Sequence, residues 1–282
     1  MRRSALLAAC LVLAACSEAP AGDAVVTVNL DGTPVVGASS PTPAGTQAAG
    51  LSACSTVTFE TVPLTHCTAD PAQHRIAMAN APAGGQPYGS LSTYAASADA
   101  GSVAFAFNGG IFGDDLKAVG YYVENGERLT ELERGEGDGN FYMKPNGVFF
   151  GTGGQWRVLA SEAFVATVGD RPQFGTQSGP MLVIDGKLHP DIQDNGPSRA
   201  IRNGVGVDAK GRTHFVIADA PLSFGQLARY FRDEVKAPNA LHLDSQTSAL
   251  WDPANGRLDQ GRAGPIIVAS RIRNNGREGT GE

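Results

Sequence analysis

Thr176–Asp208 reads TQSGPMLVIDGKLHPDIQDNGPSRAIRNGVGVD. It joins two apolar strand-like runs, Met181–Ile184 and Val205–Val207, through an Asp185-Gly186 pair and a polar loop carrying Arg199 and Arg202. An Asx-Gly pair between β-branched runs is the signal of a tight hairpin turn. Glycines beside two arginines, with Asp219 soon after, also fit an anion-handling cleft. Glycine lets backbone N–H groups approach a ligand, and arginine offers a planar, permanently charged fork. At this point a hairpin with solvated charges and an anion site are equally good readings.

The same short-strand pattern continues on both sides. Arg75–Met78, Val103–Asn108, Val119–Val123, Gly147–Phe150, Arg157–Leu159, Phe164–Val168, Gly204–Val207, His214–Ile217, Ala240–Asp244 and Ile266–Ala269 are short, β-branched or aromatic runs bounded by turn residues. Asn125-Gly126 offers a second hairpin turn. Two helices are predicted, Leu91–Ala98 behind Ser90 and Ser223–Val235 with Ser223 as cap and Pro238 as stop. With 36 glycines and 18% charged residues, the class is α/β of the α+β kind. The expected architecture is a single sheet-rich domain, a mixed β-sheet with a few helices, over residues 53–282. A net charge of −6 argues against a nucleic-acid partner.

The N-terminus points to export. Met1-Arg2-Arg3 and the apolar Ala5–Ala15 make a signal peptide over 1–15, too short to span a bilayer as a mature helix. Leu13-Ala14-Ala15-Cys16 resembles a bacterial lipobox, which makes Cys16 the lipidated first mature residue and membrane anchor. Ser17, where an aspartate would retain the protein at the inner membrane, directs it to the outer membrane, facing the periplasm or the cell surface. An ordinary cleaved secretory signal also fits. Residues 16–52 are rich in Ala, Gly, Pro, Thr and Ser and read as a flexible tether. Cys54 and Cys67, an even pair in an exported chain, bracket two short strand-like runs and favour a disulfide over a metal site.

Polar groups stand at the ends of the apolar runs: Asn108-Gly109-Gly110, Ser178-Gly179, Arg199 and Arg202, and Asp244. Here the chain resembles the phosphodiester glycosidase family. Phe107-Asn108-Gly109-Gly110-Ile111-Phe112 is similar to its N-G-G-Y/M-F motif, and Ser178-Gly179-Pro180-Met181-Leu182 to its S/G-G-P-x-L segment. Arg202-Asn203-Gly204-Val205-Gly206 is similar to R-T-A-I/V-G. Asp219 falls where the family has an aspartate, and Leu243-Asp244 where it has L-D-G-G-G-S-S. Gly139–Phe149, GNFYMKPNGVF, resembles an uncharacterised bacterial periplasmic branch.

The resemblance implies hydrolysis of a sugar-1-phosphodiester of the bacterial envelope. Arg202, with Arg199 as a second candidate, would bind the phosphate. Asp244 and then Asp219 would serve as acid/base or nucleophile, and Asn108, Gly109, Ser178 and Gly179 would bind or shape substrate. No cofactor is evident, and a divalent cation is left open, with Asp114-Asp115 its weak candidate. His214 and His242 are read chiefly as structural, and His189, after the Asp185-Gly186 turn, is a weak candidate for lining the site. One departure stands out: Ser245-Gln246-Thr247 replaces the three glycines after Asp244. It motivates an alternative, a non-catalytic envelope lipoprotein that binds a glycan or phosphoglycan.

Overall fold

Glu60 and Thr61 turn Cys54–Phe59 back onto Val62–Ala69 with φ of 45° and 70°. That left-handed pair is what a two-residue hairpin needs to match the strands' twist. The register sets Cys54 opposite Cys67, and their sulfurs are bonded, as expected from the pair's spacing. Asn125-Gly126 and Asp185-Gly186 make the same kind of turn, all four residues at positive φ. The first joins Tyr122–Glu124 to Glu127–Thr130, the second Met181–Ile184 to Lys187–Leu188. The computed structural model describes residues 52–273. The expected signal peptide, Cys16 and all of the tether but Ser52 lie outside the described residues.

The strands form three sheets. A seven-stranded sheet runs Cys54–Phe59, Val62–Ala69, Thr213–Ala218, Asn203–Val207, Asn239–His242, Met181–Ile184, Lys187–Leu188. A five-stranded sheet runs Arg257–Leu258, Leu250–Asp252, Val103–Asn108, Ile266–Arg271, His74–Ala79. The other runs Glu127–Thr130, Tyr122–Glu124, Phe174–Ser178, Gly147–Thr152, Gln155–Ala160. The sheet-rich α+β class therefore holds, with a few short helices. Its sheets are antiparallel, not mixed, in every pairing among the described residues. Met181–Ile184 and Asn203–Val207 do not pair as one hairpin, because Asn239–His242 lies between them.

Phe215 links the three sheets. It belongs to the seven-stranded sheet and packs at 5.4 Å and 5.3 Å on Phe105 and Phe107, and at 5.7 Å on Phe149. Phe105 and Phe107 come from one five-stranded sheet and Phe149 from the other. All four rings are fully buried; Phe215 meets Phe105 and Phe149 edge-on and Phe107 at a 31° tilt, and such aromatic contacts add to the burial they accompany.

The helices start where their caps predict. Ser90 accepts Thr93 N–H before Leu91–Ser97. Ser223 and Gln226 form a capping box before Phe224–Arg229. The chain then widens into a π-helical turn, Tyr230–Glu234, so the expected span is right but its last turn is not α. Phe164–Val168, expected as a strand, lies in and just beyond the helix Ser161–Thr167. Phe164 is buried, Val168 follows it four residues on, and Val165 points to solvent at 48% exposure. That spacing puts the first two on one helical face.

Candidate functional site

Strand ends from all three sheets meet at one place. Asn108 closes Val103–Asn108, Ser178 closes Phe174–Ser178, Asn203 opens the strand after Arg202, and Asp244 follows Asn239–His242 by two residues. A chain of buried amides ties them together. Asn203 donates through Nδ2 to Asn108 Oδ1 and accepts Asp244 N–H at 3.0 Å. Asn108 Oδ1 also accepts Ala249 N–H, while its own Nδ2 is buried with no partner among the described residues. Ser178 donates to Leu243 O at 2.6 Å. The Asp244 backbone is thus fixed from two sheets.

The Asp244 carboxylate is also held from its own loop. Oδ1 accepts Gln246 N–H at 2.8 Å and Oδ2 accepts Thr247 Oγ1 at 2.7 Å. An ionised carboxylate has two acceptor sites per oxygen, so one remains on each. Asp244, Gln246 and Thr247 line a cleft of about 450 Å³. Phe112 and Asp114, then Asn140, Phe141 and Tyr142, form other parts of its wall.

Arg202 is 2% exposed. Its guanidinium stacks 3.6 Å from the centre of the Phe224 ring. Nε donates to Leu222 O, Nη2 to Ser198, and Nη1 to Ser245 Oγ at 2.7 Å. Among the described residues no carboxylate lies within ion-pairing distance of it. Of five N–H donors, the second on Nη1 has no acceptor among the described residues. Burial pulls this guanidinium down to about 10. Ser245 also meets the fully buried His242, whose Nε2 lies 2.8 Å from Oγ. His242 Nδ1 lies 2.8 Å from Gly179 O. Burial first, then the Arg202 charge, pushes this imidazole down to about 3 against the opposing bond to Gly179.

Other expected site residues sit differently. Asp219 accepts Thr65 Oγ1 on one oxygen and Arg257 Nη1 at 2.7 Å on the other. It pairs with Arg257, which also holds Asp259, and makes no bond to Arg202 or Asp244. Arg199 is exposed and donates to Gln226, the capping-box residue. Gly109 and Gly179 serve close packing: an added Cβ would lie 2.9 Å from Pro265 O at the first and 2.7 Å from Phe141 O at the second. Gly109 N–H is taken by Pro265 O. Of the acidic pair, Asp114 lines the cleft while Asp115 is exposed and faces Lys117. His214 bonds Asp208 and His66, and His189 accepts Asp191 N–H.

Asn203, Ser245 and the ring of Phe224 were not singled out from the sequence, and His242 was read there as structural. Asn203 stands inside the motif quoted for Arg202, and Ser245 inside the loop noted only as a departure.

The fold and site find relatives. Residues 101–261 match the model of the phosphodiester glycosidase family. The chain belongs to this family. A relative from Escherichia coli (strain K12), the uncharacterized protein YigE, is 33% identical over 185 residues, covering 65% of this chain and 72% of that one. Among solved structures, the zebrafish N-acetylglucosamine-1-phosphodiester alpha-N-acetylglucosaminidase catalytic domain, auto-inhibited by its pro-peptide, is similar with a TM-score of 0.51. The likeness covers 78% of this chain and 82% of that one at 14% identity, and it is a likeness of fold. The matched phosphodiester glycosidase region, 101–261, contains Asn108, Ser178, Arg202, His242, Asp244 and Ser245.

Proposed function

We propose that this phosphodiester glycosidase hydrolyses the glycosidic bond of a sugar-1-phosphodiester in the bacterial envelope. The observation that carries the reading is Arg202. A buried guanidinium with no carboxylate partner is costly unless a counter-charge reaches it, and an anionic phosphodiester supplies one with bidentate geometry. Ser245, which accepts from that guanidinium, is the residue next to the cleft residue Asp244. Asp219 makes a poorer second carboxylate because its charge is already matched by Arg257 and it does not line the cleft that holds Asp244.

In this reading Arg202 neutralises the phosphate. Asp244 takes a proton from water as its oxygen attacks the anomeric carbon, or stabilises positive charge developing there. The bond from that carbon to the phosphate oxygen breaks, and the phosphomonoester leaves with the electron pair. A phosphate is a good enough leaving group to depart without a strong acid. Export and a lipid anchor at Cys16 remain proposals from the N-terminal sequence, and they would set the substrate in the envelope.

The test is hydrolysis of p-nitrophenyl-phospho-sugar diesters, with and without chelator. Free sugar and p-nitrophenyl phosphate are measured by chromatography. Arg202→Ala and Asp244→Asn should each lose activity, by about 10² or more for the carboxylate. Activity equal to the parent in both variants would sink the assignment. The bonds from Gln246 and Thr247 to the Asp244 carboxylate favour a second reading, a phosphoglycan-binding lipoprotein in which Asp244 only anchors its loop. Binding in calorimetry with no sugar release would favour that one.

A further inference from the structure

The hydrogens around Ser245 have one consistent order. Gly179 O can only accept, so His242 Nδ1 carries the hydrogen of that 2.8 Å bond. The neutral ring then leaves Nε2 as an acceptor, and the Ser245 hydroxyl must donate to it at 2.8 Å. With its hydrogen committed, Ser245 Oγ turns a lone pair to Arg202 Nη1 at 2.7 Å. The chain runs in one direction: Arg202 to Ser245, Ser245 to His242, His242 to the carbonyl of Gly179. His242 is fully buried and Ser245 half-buried beside the cleft residues Asp244 and Gln246.

We propose that Ser245, its hydroxyl fixed by His242, is a positioning residue that aims the Arg202 guanidinium at the substrate's phosphate. It thereby sets this chain's affinity for anionic diesters. The inference rests on the phosphosugar reading above. The serine here gives the guanidinium a neutral anchor on one Nη1 hydrogen, and the second has no acceptor among the described residues. A carboxylate in the same place would neutralise the charge and exclude the anion. Interactions made equally to bound substrate and transition state act on KM rather than kcat.

The experiment compares Ser245→Ala, Ser245→Gly and Ser245→Thr, with inorganic phosphate as a competing anion. Ala and Gly should raise both the diester KM and the phosphate inhibition constant by about tenfold to a hundredfold, the range for a hydrogen bond to a charged group. Their kcat should stay within about threefold of the parent. Thr, which keeps the hydroxyl, should hold most of the parent's affinity. On an Arg202→Ala background Ser245→Ala should cause no further change in phosphate binding measured by calorimetry, because the two act as one unit. Unchanged KM and phosphate inhibition in Ala and Gly, with Arg202→Ala inactive, would overturn the inference and leave the phosphosugar reading standing. A parent that neither cleaves diesters nor binds phosphate would overturn both.

Discussion

Asn203 bridges Asn108 and Asp244, one amide serving the end of a strand in one sheet and the backbone after a strand in another. All of its polar atoms that the site uses are buried. Asn203→Ala removes the side chain that accepts Asp244 N–H among the described residues. A buried donor left without a partner costs about 1–3 kcal/mol. Urea unfolding should show that loss, and diester hydrolysis should fall further than the loss of folded protein explains. A variant with parental stability and activity would show that the amide chain does not hold the loop.

Asp219 and Asp244 separate in function. Asp219→Asn weakens a partly exposed pair with Arg257, an interaction worth about 1 kcal/mol or less. Diester hydrolysis should stay within a fewfold of the parent, while Asp244→Asn loses it. Steady-state kinetics on the two variants decide the point, and a larger loss from Asp219→Asn would reverse the roles.

Acid destabilises this fold through its histidines. Burial is the main cause that holds His66 down to about 4 and His242 down to about 3. The unfolded chain takes up these protons near pH 6.5 and the folded chain does not. Stability is therefore full above about pH 6.5 and falls as pH drops towards 4, by up to about 1.4 kcal/mol per unit for each group. Lower down, Asp208 overcomes its burial through bonds from His214 and Arg212 and sits at about 2. Its contribution is present above about pH 4 and lost towards 2. Urea midpoints between pH 7 and 4 should decline, and less steeply in His66→Gln. A flat profile would mean that the histidines charge freely in the folded state.

Closing the 13-residue separation between Cys54 and Cys67 restricts the unfolded chain. The chain-entropy model puts that effect at about 3 kcal/mol. Cys54→Ala with Cys67→Ala should lose stability of that order while leaving the diester KM unchanged, since the hairpin makes no contact with the Asp244 loop in the bonds described. Equal unfolding midpoints with and without reductant would contradict it.

Much of the fold was legible because it is written locally. Asx-Gly turns, Ser caps and β-branched runs fix backbone geometry over a few residues, and they place Met181–Ile184, the hairpin turns and both helix starts. Phe174–Ser178 was missed because its polar side chains hide a buried strand. Thr176 donates to Gly109 O, Gln177 accepts Tyr121 and Glu133 N–H, and Ser178 donates to Leu243 O. Their partners lie far along the chain, so no local pattern shows that these groups are satisfied. Phe164–Val168 was misread for the opposite reason: an apolar run fits either period until its neighbours choose a face.

By itself, the sequence determined the hairpins, the capped helices, the cysteine pair and the motif order that marks the family. It also named Asn108, Arg202 and Asp244. Only the tertiary structure decided that Asp219 belongs to Arg257, that Gly109 and Gly179 pack rather than open, and that His242 and Ser245 stand behind Arg202. Turns and caps are set by the backbone preferences of adjacent residues. Which buried charge lacks a partner depends on groups brought together from distant strands, and that is settled only when the three sheets close around their shared core.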